Sequence, residues 1–209
     1  MGKITDIQKQ KRNRTRVSIF IDDEFVCGLD EVAVASARLK IGDYITADEL
    51  KRVMESSELN SAFERAVGYL SLAPRAKKEI YKYLADKGYD KGVIDKTIDK
   101  LCAYHYIDDY LYAQSYIKSK SKKYGAFRLG AELRQKGIEQ AVIDELLEDA
   151  PEDGIIDIAQ KYLKTHKSAD KQKLKRFLAG RGFSWDSING AVAKLADEFS
   201  TDDNDDYGD

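Results

Sequence analysis

A mainly α fold is predicted: a tandem array of three three-helix repeats behind a small N-terminal module with a β-hairpin and helices. Three observations predict it. A triplet of basic residue, glycine and large apolar residue recurs as Lys87-Gly88-Tyr89, Lys136-Gly137-Ile138 and Arg181-Gly182-Phe183. Apolar residues keep register around each glycine, with Leu84, Leu133 and Leu178 four before it and Ile94, Ile143 and Ile188 six after it. Upstream of each triplet stands Ala-x-x-Tyr-apolar: Ala66/Tyr69/Leu70, Ala113/Tyr116/Ile117 and Ala159/Tyr162/Leu163. A period of roughly 45–50 residues marks a repeat array. Such arrays stack into elongated crescents whose surfaces bind rather than catalyse.

The elements follow in order. Residues 1–15 are polar and basic, and little order is expected there. Arg16–Ile21 alternates, with Val17, Ile19 and Ile21 on one face, which predicts a strand. Asp22-Asp23 supplies a turn, and Glu24–Leu29 is the return strand. Asp30 is placed to cap a short helix reaching about Leu39, broken at Gly42-Asp43. Thr46-Ala47-Asp48-Glu49 is a capping box, which predicts a helix over 47–56. The module thus spans 1–58, and the repeats span 59–106, 107–152 and 153–198. In each repeat the first helix carries the Ala/Tyr face. The second ends at the glycine, in a left-handed C′ position that only glycine adopts cheaply. The third opens at Asp90, Glu139 or Ser184. Residues 199–209 form an acidic tail expected to be disordered.

A net charge of −2 argues against a bulk basic nucleic-acid binder. The charge is unevenly placed, however. Basic residues cluster at Lys9–Arg16 and at Lys118–Lys123, and the acidic tail masks them in the sum. Cys27 and Cys102 give neither a disulfide framework nor metal-ligand spacing, which fits a reducing compartment. No apolar run approaches the length that spans a bilayer. A cytoplasmic monomer is expected.

Sites of chemistry are sparse. His105 and His166 lack a second His or Cys at ligand spacing, and no phosphate-binding glycine loop occurs. Asp22-Asp23 and Asp108-Asp109 sit where turns and caps favour aspartate. No cofactor, metal or catalytic group is expected, and the chain reads as a non-enzyme. The strongest candidates for binding are Lys118, Lys120, Lys122, Lys123, Tyr124, Arg128, Arg134 and Lys136. Cations mixed with aromatics suit phosphates and bases. The same cluster also suits an acidic protein patch, or a solvated helix end complementing its dipole. Tyr69, Tyr116 and Tyr162 read as core residues with the hydroxyl at the edge.

These residues resemble a known family. Tyr69-Leu70 to Pro74-Arg75, Glu79-Ile80, Leu84, Lys87-Gly88-Tyr89 and Ile94 resemble the first repeat of the RecX family. Tyr106-Ile107-Asp108-Asp109 with Tyr112-Ala113 resembles its junction between repeats. Tyr124-Gly125, Arg128-Leu129, Glu132-Leu133 and Lys136-Gly137-Ile138 resemble its second repeat. Ala76 departs from the pattern, which has a serine cap there. The resemblance implies a regulator that binds the RecA recombinase filament on DNA, inhibits its ATPase and strand exchange, and limits filament growth in recombination and repair. It also implies that some members contact single- or double-stranded DNA directly. The residues alone leave open a nucleic-acid-binding repeat protein without a recombinase partner, and more remotely an enzyme using Asp108-Asp109.

Overall fold

The computed structural model describes residues 1–11, 13–148, 154–166 and 170–199; the acidic tail beyond 199 lies outside the described residues. The chain forms two compact units, Met1–Asp108 and Asp109–Asp209.

The first unit begins with a four-stranded sheet in which β3 (Glu24–Asp30), β2 (Arg16–Ile21), β1 (Gly2–Lys9) and β4 (Tyr44–Ile45) lie side by side in that order. Strands β2 (Arg16–Ile21) and β3 (Glu24–Asp30) form the expected hairpin. Asp22 and Asp23 form its turn, both at positive φ, the pairing that a two-residue hairpin turn needs. The sheet also holds β1 (Gly2–Lys9), a strand where little order was expected, and the short β4 (Tyr44–Ile45). Strand β1 escapes the alternation rule because its apolar residues, Ile4 and Ile7, are an odd number apart. A register shift between Ile4 and Asp6 resolves this, since a bulge inserts one extra residue. Ile4 is then fully buried, and Ile7 packs on the sheet's core of Val17, Ile19 and Leu29.

Asp30 caps α1 (Glu31–Ser36), accepting from the Val32 and Ala33 N–H groups. The Thr46/Glu49 capping box forms as expected and opens α2 (Ala47–Leu70). The helix expected over 47–56 runs on to Leu70. No Gly or Pro interrupts 56–61, and the buried Ser57 hydroxyl accepts the Asp30 N–H at 2.6 Å. One helix therefore serves two cores. Val53 packs on the sheet, while Ala62 and Ala66 pack on Ile80 and Leu84 of α3 (Lys77–Asp86) and Ile94 and Leu101 of α4 (Lys91–Ala103).

The second unit holds α5 (Asp109–Lys120), α6 (Ala126–Gln135) and α7 (Gln140–Glu148), then α8 (Ile155–Thr165), α9 (Lys171–Gly180) and α10 (Trp185–Lys194) with a 3₁₀ turn at Ala196–Phe199. The triplet glycines end α3, α6 and α9 with φ of +85°, +85° and +82°, as expected. Leu129, Leu133 and Ile143 are buried in the middle repeat; Leu174, Leu178, Phe183 and Ile188 form the core of the third.

The two repeats of this unit dock through backbone. Gly125 N–H donates to the Arg181 carbonyl at 3.0 Å, and Phe127 N–H donates to the Gly182 carbonyl at 3.1 Å. The end of α9 thus meets the start of α6, and carbonyls past one helix terminus satisfy N–H groups at the other. The approach leaves no room for side chains. A Cβ on Gly125 would overlap Phe183 backbone, and one on Gly182 would overlap Arg128.

Candidate functional site

End-to-end docking of α9 on α6 brings cations and rings together along the second unit. At one end Lys136 Nζ lies 5.5 Å from the Tyr112 ring and 5.6 Å from Tyr116. Lys120 Nζ follows, 5.4 Å from Tyr116 and 5.7 Å from Tyr124. Tyr124 is the hub, with the Arg128 guanidinium 3.9 Å from its centroid and Arg181 at 5.7 Å. Arg181 continues to Phe177 at 5.0 Å. Phe177 stacks on Tyr162 at 4.2 Å, and Tyr162 on His166 at 4.3 Å. The result is a strip in which cation and ring alternate from Lys136 to Phe177 and which continues as a stack of rings to His166.

Helix geometry explains the placement. Lys136 and Arg181 are C-cap residues, directed by the glycine turns that follow them. Tyr112, Tyr116 and Lys120 lie four apart on α5, so they share one face. Tyr124 sits just before the Gly125 N-cap, held where α6 meets α9.

One carboxylate stands among these cations. Glu132 accepts from the Tyr116 hydroxyl at 2.5 Å and from Arg128 Nε at 3.0 Å. The Tyr116 hydrogen bond, and after it Arg128, hold the Glu132 carboxyl below its usual range. Burial, and then the bond to Glu132, push the Tyr116 phenol up.

Of the residues singled out in the sequence, Lys120, Tyr124, Arg128 and Lys136 stand in the strip. Lys118, Lys122, Lys123 and Arg134 are exposed, and no ring contact among the described residues includes them. Tyr116 was read as core; it is half-buried, and its ring and hydroxyl both take part in the strip. Tyr112, Glu132 and Arg181 entered the sequence reading as motif residues and not as candidates for binding, and Phe177 did not enter it. For Arg181 and Phe177 the signal was the repeat itself, which places a cation just before every glycine and a ring five before it in the outer repeats.

The arrangement has a chemical consequence. Cations already cover Tyr124, and Tyr162 lies between Phe177 and His166. The faces of Tyr124 are taken by cations and those of Tyr162 by neighbouring rings, which leaves little ring surface for bases. An ammonium or guanidinium held over a ring loses little further freedom on meeting an anion. The strip therefore suits carboxylates or phosphates. The first unit has a smaller counterpart: Arg75 lies 4.6 Å from Tyr69, Tyr69 stacks on Tyr83 at 4.1 Å, and Lys87 lies 5.6 Å from Tyr83. Among the described residues no cluster of His, Cys, Asp or Glu could hold a metal ion, and no helix is long and apolar enough to cross a membrane.

Comparison with known proteins agrees along the chain. Residues 2–46 match the Regulatory protein RecX N-terminal domain, and residues 62–101, 108–147 and 152–192 match the first, second and third RecX three-helix domains. The Regulatory protein RecX of Clostridium tetani is 32% identical over 205 residues, covering 93% of this chain and 95% of that protein. That of Clostridium botulinum (strain Eklund 17B) is 30% identical, covering 92% and 95%. A crystal structure of a regulatory protein RecX superposes with a TM-score of 0.74 at 24% identity, covering 94% of this chain and all of that one.

Proposed function

Because the chain belongs to the RecX family of regulatory proteins, we propose that it regulates the RecA recombinase. It binds the filament that RecA forms on DNA, slows ATP hydrolysis and limits filament growth and strand exchange. It acts by binding, as a non-enzyme. The observation that carries the site assignment is the strip of ring-held cations from Lys136 through Lys120, Arg128 and Arg181. Acidic side chains of a filament are its natural complement, and such complementarity acts mainly on encounter rate and orientation. Any direct contact with DNA uses the same cations on phosphate rather than rings on bases.

The test is to titrate the protein into RecA filaments on single-stranded DNA while following ATP hydrolysis. Hydrolysis should slow at substoichiometric protein. An unchanged rate at equimolar, folded protein contradicts the assignment. DNA affinity with no effect on hydrolysis would favour a nucleic-acid-binding protein without a recombinase partner.

A further inference from the structure

The middle repeat breaks a pattern that its neighbours keep. Five residues before the glycine, the first and third repeats carry rings, Tyr83 and Phe177. Each ring stacks on the tyrosine of its repeat's first helix, Tyr69 or Tyr162. The middle repeat carries Glu132 there, and the stack is replaced by hydrogen bonds from Tyr116 and Arg128. The outer repeats show that this helix position accepts a ring, so the repeat architecture alone does not call for a charge. The charge lies between Arg128, which it bonds, and Lys120, in the middle of the strip, where an incoming anion would seek the same cations.

We infer that Glu132 is a built-in competitor of the strip: its carboxylate occupies Arg128 and so weakens the hold on anionic partners. The inference rests on the strip being an anion-recognition surface. An arriving carboxylate or phosphate must share or displace Glu132 at the Arg128 guanidinium. Affinity is thereby kept below what four cations would give, and the contact stays reversible. Acidification within the neutral range does not lift this block, because that range lies above where even an ordinary glutamate takes up a proton, and Tyr116 and Arg128 hold Glu132 lower still.

The test uses the full chain and a single-stranded oligonucleotide as the polyanion probe, with affinity measured against salt. Glu132→Gln keeps the size and an acceptor for the Tyr116 hydroxyl while removing the charge. It should tighten binding about two- to fivefold at low salt, the scale of a partly exposed ion pair. The log–log salt dependence should steepen by about 0.7, one added phosphate contact. Glu132→Phe, which copies the third repeat, should shift affinity the same way. The double variant Lys136→Gln/Arg181→Gln tests the strip itself and should weaken binding. If it does while Glu132→Gln leaves affinity and slope unchanged, the strip stands and Glu132 is only structural. If the double variant binds like wild type, the strip fails and the competitor role falls with it.

Discussion

The glycine turns of the first and third repeats share a backbone and differ in surroundings. Gly88 and Gly182 have φ of +85° and +82°, and each follows a cation that caps a helix. Gly88 is exposed, and a Cβ there would meet nothing within 4 Å. Gly182 is buried against Arg128, and its carbonyl receives a hydrogen bond from α6. One local motif thus does two jobs: it ends a helix in the first repeat, and in the third it also joins two repeats and sets Arg181 beside Tyr124.

The largest expected effect breaks that comparison directly. Gly182→Ala meets both the left-handed backbone and Arg128, and should cost about 3 kcal/mol or more. Gly88→Ala meets the backbone alone and should cost about 1–2 kcal/mol. Gly125 has an ordinary φ of −79°, so Gly125→Ala isolates the crowding and should fall between them, at about 2 kcal/mol. Urea unfolding of the three variants gives the ranking. Equal losses at Gly88 and Gly182 would mean that the two repeats do not dock through this turn.

A second comparison sets Tyr69 against Tyr116. Tyr69 stacks on a ring, whereas Tyr116 donates to a carboxylate. Tyr116→Phe should cost about 1 kcal/mol through the lost hydrogen bond, and Tyr69→Phe less. The pair also sets a pH window. The raised phenol of Tyr116 contributes stability below the ordinary tyrosine range, lost as pH rises from there through its folded value. The depressed Glu132 carboxyl contributes above the ordinary glutamate range, lost as pH falls from there through its folded value. In an absorbance titration of the folded protein, Tyr116→Phe should remove a phenol that ionises above the ordinary tyrosine range. A curve that loses amplitude near the ordinary tyrosine value would contradict the hydrogen bond.

The smallest effect lies at the caps. Asp170 and Thr46 accept backbone N–H groups with their side chains, but Ala76 has no oxygen to offer, and only Glu79 reaches back to its N–H at 3.1 Å. Ala76→Ser should complete the box and stabilise by about 0.5–1 kcal/mol. The side chain is buried, so a loss of stability would mean that the hydroxyl cannot turn toward Glu79.

What was legible in the sequence was what a local rule encodes. The glycines, the Asp30 and Thr46 caps, the hairpin turn and the leucines of each second helix depend on neighbours within a few residues. Strand β1 was hidden because its bulge disguises the alternation of Ile4 and Ile7. The unbroken α2 was hidden because the partner of Ser57 is Asp30, distant in sequence. The same limit applies to the strip. The run of lysines from 118 to 123 is dense in sequence, yet only Lys120 meets rings, because a helix spreads consecutive side chains around its axis. Arg181 reaches Tyr124, and links Phe177 to the strip, only through the docking of α9 on α6, which charge counting does not reveal.

Under the proposed function, cations held over rings, and not basic charge at large, would engage the filament. Two double variants of equal charge test it: Lys120→Gln/Lys136→Gln within the strip, and Lys118→Gln/Lys122→Gln outside it. Each is titrated against RecA filaments on single-stranded DNA, with ATP hydrolysis as the readout and thermal unfolding as the check on folding. The account predicts that the strip variant needs several-fold more protein to slow hydrolysis, while the outer variant acts like wild type. Equal loss of inhibition in both would contradict it, because charge alone would then suffice.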